Sequence, residues 1–96
     1  MGKTSANEEL RNLIVEFQLN EEAYNEMVPE PYWEERAKLC KRFEDATRRE
    51  GFVSGLSKLN LLRLVSLQGK MRYMKEHTFY IQFHSALNEL KKAGKL

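Results

Sequence analysis

The stretch "SKLNLLRLVSLQG", Ser57 to Gly69, holds six large aliphatic residues in thirteen positions and no acidic side chain. On a 3.6-residue period Leu59, Leu61, Leu62, Leu64, Val65 and Leu67 spread nearly all the way round, the pattern of a helix enclosed by others. The expectation is an all-α fold, a compact bundle of four or five short helices with the 57–68 helix at its centre. No run elsewhere alternates with period two between turn residues, so strands are not expected.

Upstream, "SANEEL" places Ser5 three residues before Glu8, the spacing at which a hydroxyl and a carboxylate satisfy free amides at a helix start. Leu10, Leu13, Ile14 and Phe17 follow on one face. The stripe lapses at Asn20-Glu21-Glu22, which either caps a short second segment carrying Ala23, Tyr24 and Met27 or lies within one bent helix. "VPEP" ends the region, and Pro31 suits the first turn of the next helix. There Trp33, Ala37, Leu39, Cys40, Phe43 and Ala46 form the apolar stripe. Glu34 and Lys38, Glu44 and Arg48, and Asp45 and Arg49 sit four apart in the favoured acid-before-base order. Gly51 is placed to end this helix in a left-handed cap.

Downstream, "GKMRYMKEHTFYIQFH", Gly69 to His84, has two readings. Either Gly69 ends the central helix and a connector follows, or the helix runs on to about Glu76 across a glycine costing roughly 1 kcal/mol relative to alanine. The last helix is expected near Thr78, an N-cap residue, with Phe79, Phe83, Ala86, Leu87 and Leu90 buried and Gly94 at its end.

Ninety-six residues make one domain, here 1–96 with 1–4 as a flexible tail, too small to enclose a deep substrate cavity beneath a second layer. The longest apolar run is a few residues, against the roughly 20 that span a bilayer, so no membrane span and no apolar leader are expected. Met1-Gly2 lacks the Ser or Thr wanted at position 6, where Ala6 stands, so myristoylation is not expected. A lone Cys40 excludes a disulfide within the chain and suits a reducing intracellular compartment, cytoplasm or nucleus. Residues 1–50 hold 8 Lys and Arg against 12 Asp and Glu, while residues 51–96 hold 8 against 2. Either the acidic half lies against the basic half, or a basic face is presented to a polyanion.

Chemistry-bearing patterns are sparse. His77 and His84 cross a helix start and Cys40 has no ligand beside it, so no metal is expected. A single aspartate, Asp45, sits among cations on a solvated face, and no nucleophile, base and orienting group converge. "EGFVSG" follows no strand and carries no GK[ST] continuation, and "GKT" at Gly2 to Thr4 lacks the upstream loop of a phosphate-binding motif. No enzyme activity and no cofactor are expected.

The remaining expectation is a non-enzymatic docking or adaptor domain of a larger intracellular assembly. Met71, Tyr73, Met74 and Tyr80 are the candidate partner-binding residues, being soft or aromatic side chains of the types enriched at interfaces. A protein partner is expected, and homo-oligomerisation is left open. "LQGKMRYMK", Leu67 to Lys75, resembles an IQ-type target of the calmodulin family, which adds to a partner-helix reading. The alternative is nucleic-acid binding. The last 40 residues pair a helix, a basic turn and a second helix of the form F-x3-L-x2-L-x3-G-x-L, and resemble the helix-turn-helix half of winged-helix domains. That resemblance implies that Gln82, Ser85, Asn88, Glu89 and Lys92 lie on the face away from Phe83 and Leu87, where Gln, Asn and Lys are the types that read base edges; the nucleic-acid reading runs through the basic set Lys70, Arg72, Lys75, His77 and Lys92.

Overall fold

The computed structural model describes residues 5–23, 30–71 and 79–96. Four α-helices make up the described fold: α1 (Ala6–Ala23), α2 (Glu30–Thr47), α3 (Lys58–Lys70) and α4 (Phe79–Lys92), with a 3-10 turn at Val53–Gly55. No strand occurs among the described residues, and the all-α bundle matches the expected class.

Local signals account for two of the helix starts. The Glu8 amide donates to Ser5 Oγ at 3.2 Å and so opens α1, while the Asn60 amide donates to Ser57 Oγ at 3.3 Å and opens α3. Gly51 does not cap α2 as the sequence suggests, because α2 already ends at Thr47; Gly51, at φ +83°, instead turns the chain four residues later in the left-handed conformation that glycine adopts without strain. α3 passes through Gly69, which keeps a negative φ, and stops where Met71 turns extended at ψ 127°. The continuation toward Glu76 and the Thr78 cap lie outside the described residues.

α1 and α2 run antiparallel, as three cross-links show: Glu9 pairs with Arg49, Glu16 with Arg42 and Glu21 with Arg36, rising along one helix as they fall along the other. α4 packs mainly along α2, with Phe79 stacked on Trp33 at 6.3 Å. Phe83 stands where three helices meet, 5.6 Å from the Phe17 ring and 5.4 Å from the Phe43 ring. Around it Leu10, Leu39, Cys40, Ala86 and Leu90 are sealed from solvent.

Two further sequence expectations change. The stripe of α1 does not lapse at Asn20-Glu21-Glu22, because the helix continues to Ala23 and both Asn20 and Glu21 are buried against α2. Tyr24 and Met27 lie outside the described residues. The 57–68 helix is one-sided rather than enclosed: Leu61, Leu64 and Leu67 are buried, whereas Leu59, Leu62 and Val65 face solvent. A stripe spaced by three residues needs only one partner surface, and α3 packs chiefly on α1. The centre of the bundle is where α2 and α4 meet at Phe83.

Charge pairing along α2 also differs in part. Glu44 and Arg48 make their i,i+4 pair at 3.5 Å, but Asp45 pairs backward with Lys41 at 2.9 Å, and Arg49 reaches across to Glu9. The helix-to-helix contact draws Arg49 away from the local one.

Candidate functional site

The start of α3 is fastened to the start of α1. Asn7 Oδ1 accepts from the Ser57 amide at 2.7 Å and from Asn60 Nδ2 at 3.2 Å, and the Asn7 carbonyl accepts from that same amide group at 3.2 Å. The preceding turn comes so close that a Cβ at Gly55 would stand 3.3 Å from the Ala6 methyl. With Leu61, Leu64 and Leu67 turned to the core, helical geometry sends Leu59, Leu62 and Val65 to the opposite side, where they are 58%, 58% and 48% exposed. Ser66 and Gly69 complete that side, and no charge interrupts it. Lys58, Arg63 and Lys70, all exposed, stand along its borders, and α3 contains no acidic residue.

α1 has a smaller face of the same kind. Val15 and Leu19 are 44% and 60% exposed, one turn apart and opposite the buried stripe of Leu10, Leu13, Ile14 and Phe17. Glu8 lies two turns before Val15 and Glu22 one turn after Leu19, both exposed, with Arg11 on one border. The other glutamates of α1 are engaged with α2, as described above.

A third surface is the outward side of α4. Arg48, Tyr80, Ile81, His84, Asn88 and Lys91 line part of a shallow groove of about 600 Å³. Tyr80 stacks on His84 at 5.6 Å, and Ile81 is 72% exposed. Its cations are partly committed: Arg48 donates to Ser85 Oγ at 3.2 Å and pairs with Glu44, and Lys92 pairs with Glu89 at 3.3 Å.

The residues singled out from the sequence divide accordingly. Tyr80 and Met71 are half-buried and pack against the core edge, and Lys70 is exposed at the end of α3. Asn88 and Lys92 are exposed on α4, while Gln82, Ser85 and Glu89 are half-buried. Arg72, Tyr73, Met74, Lys75 and His77 lie outside the described residues. The structure therefore brings Tyr80, Ser85, Asn88 and Lys92 to one face and sets Lys70 on another helix. Sequence reasoning missed the exposed stripe of α3. Its signal was present in the three-residue spacing of Leu61, Leu64 and Leu67, which already forms one complete buried face.

Beneath these surfaces lies a polar cluster between α1 and α2. Arg36 is fully buried, donates from Nε to Asn20 Oδ1 at 2.7 Å, and pairs with Glu21. Its guanidinium lies 5.1 Å from the Tyr32 ring centre and 6.0 Å from that of Trp33. Cys40, one turn further along α2, is sealed in the core, and burial pushes its thiol pKa up to about 12 although the nearby Arg36 charge pulls the other way. Such a thiol is inert as a nucleophile at neutral pH. Among the described residues no three His, Cys, Asp or Glu side chains gather as metal ligands, and no helix is long and apolar enough to cross a membrane.

No family model, no curated protein and no solved structure matches this chain.

Proposed function

We propose that the chain is a non-enzymatic helical docking domain that binds protein through the outward face of α3. The observation that carries this reading is the uncharged stripe of Leu59, Leu62 and Val65, three large aliphatic side chains in water on a helix whose opposite side already supplies the core. An amphipathic helix laid into such a stripe buries it through anchors spaced three and four residues apart. A photoreactive amino acid at position 62 tests the reading in living cells. Protein adducts from position 62, absent from the same probe at position 38, which is exposed on α2, are expected. Absence of protein adducts from positions 59, 62 and 65 alike would overturn it.

Nucleic-acid binding is the second reading, favoured by the stacked Tyr80 and His84 rings beside Arg48, Lys91 and Lys92 on α4. It ranks second because Arg48 and Lys92 already meet carboxylates. Affinity for an arbitrary duplex that falls steeply with salt would favour it, since phosphate contacts release counterions.

A further inference from the structure

We propose that the occupant of the α3 face is a second copy of this chain, which lays its α1 face on that stripe in a reciprocal pair; this rests on the docking reading above. The argument is that both halves of a matched contact are present on one molecule. α1 carries five glutamates against one arginine, and its outward face reads acid, apolar pair, acid: Glu8, then Val15 and Leu19, then Glu22. α3 carries three cations and no acid, and its outward face reads base, apolar stripe, base: Lys58, then Leu59, Leu62 and Val65, then Lys70.

The lengths agree as well. At 1.5 Å rise per residue, Glu8 and Glu22 are about 21 Å apart along α1, and Lys58 and Lys70 about 18 Å apart along α3. The apolar side chains of one helix thus meet those of the other while the terminal charges meet opposite charges. None of Glu8, Glu22, Lys58 or Lys70 makes an ion pair with the described residues, so all four are free to pair between copies. Arg11, on the border of the α1 face, is the one charge of the wrong sign there.

Intramolecular contact between these two faces is excluded, because α1 and α3 touch through their other sides, at Asn7, Ser57 and Asn60. Since the two helices are neighbours, two copies can exchange the contact: α1 of each meets α3 of the other. A reciprocal exchange stops at two copies, whereas the same contact made head to tail would continue into longer species, so a mass that grows past twice the monomer also overturns the reciprocal pair. Five aliphatic side chains per contact make a modest interface, so the pair forms and dissociates readily.

The test is sedimentation velocity of the purified chain from micromolar to millimolar concentration at low salt, with two charge-reversed variants. One carries Lys58→Glu and Lys70→Glu, so that both faces are acidic; the other carries Glu8→Lys and Glu22→Lys, so that both are basic. The wild type is expected to shift toward twice the monomer mass as concentration rises. Each variant alone is expected to weaken that association by at least about tenfold, and an equimolar mixture to restore it, because only the mixture pairs every acid with a base. Unchanged melting temperatures for both variants show that the fold is intact, since exposed charges contribute little to folding. A wild type that stays monomeric throughout, or a dimer indifferent to both reversals and their mixing, overturns the proposal. A monomer that still gives adducts to another protein from position 62 would remove the second copy as occupant and leave the docking reading standing. Adducts absent at all three stripe positions would remove both.

Discussion

The guanidinium of Arg36 on α2 is wholly withdrawn from solvent and held by the carboxylate of Glu21 on α1. Asn20, immediately before Glu21, accepts from Nε and passes its own amide hydrogen to the Tyr32 carbonyl at 3.3 Å. A charge in that position is tolerable only while its partners stay in place, because desolvation of an uncompensated ion outweighs the gain from packing its stem.

Glu21→Ala should therefore be the costliest single change on α1 outside the apolar stripe, at about 3 kcal/mol, because it leaves the arginine buried without its anion. Urea unfolding followed by circular dichroism measures it. Replacing both partners together, as Glu21→Leu with Arg36→Met, should cost clearly less than Glu21→Ala alone, since no charge then remains to be desolvated. Equal losses from the single and the double change would show that the pair contributes shape rather than charge compensation.

The two sides of α3 should respond in opposite ways to the same truncation. Leu64→Ala, at a sealed position, should lose about 3 kcal/mol through lost burial and the cavity left behind, whereas Leu62→Ala should lose well under 1 kcal/mol. Thermal melts of dilute samples compare them directly. A large loss from Leu62→Ala would place that residue in the core.

Cys40 links stability to alkaline pH. The folded thiol has its pKa raised to about 12 by burial, whereas an unfolded thiol titrates near 8.5, so the folded state holds its proton longer. The contribution is fully present below about pH 8.5 and is lost progressively as pH rises toward 12. Denaturant midpoints measured across that window should fall more steeply for the wild type than for Cys40→Ala. At neutral pH a maleimide should react with Cys40 only after unfolding. Rapid labelling of the native chain would contradict the burial.

Helix content was open to reading because it rests on local rules. Ser5 and Ser57 each act on a backbone amide three residues away, Gly51 acts through its own left-handed φ, and the apolar positions of α2 and α4 repeat at helical spacing. The placement of α3 was not, because periodicity counts how many sides of a helix are apolar and is silent on how many are covered. Asn20, Glu21 and Arg36 were hidden for a related reason. Two acidic or amide residues at the end of α1 read as a polar interruption until an arginine 15 residues beyond Glu21 is seen to enter the same space. A clue lay within α2, where Arg36 occupies the stripe between Trp33 and Cys40 at a spacing otherwise reserved for apolar side chains. Of the surfaces, Asn88 and Lys92 could be assigned to the outside of α4 from the sequence, but the neighbourhood of Arg48 and Ser85, 37 residues apart, depends on how α4 lies along α2.

The Asn7 clasp joins residues 50 and 53 positions apart in the chain, and it is the polar part of an attachment otherwise made by one row of leucines. A helix held along a single edge is a separable cooperative unit: it can swing or melt while the aromatic junction of α1, α2 and α4 at Phe83 stays whole. On that ground α3 is expected to open as a hinged leaf on a three-helix frame at a free energy below that of global unfolding, which native-state hydrogen exchange of its amides would read out. Binding on its outward side would lower the population of the opened leaf, so that occupancy of the surface is felt as tightening of the clasp at the far end of the same helix.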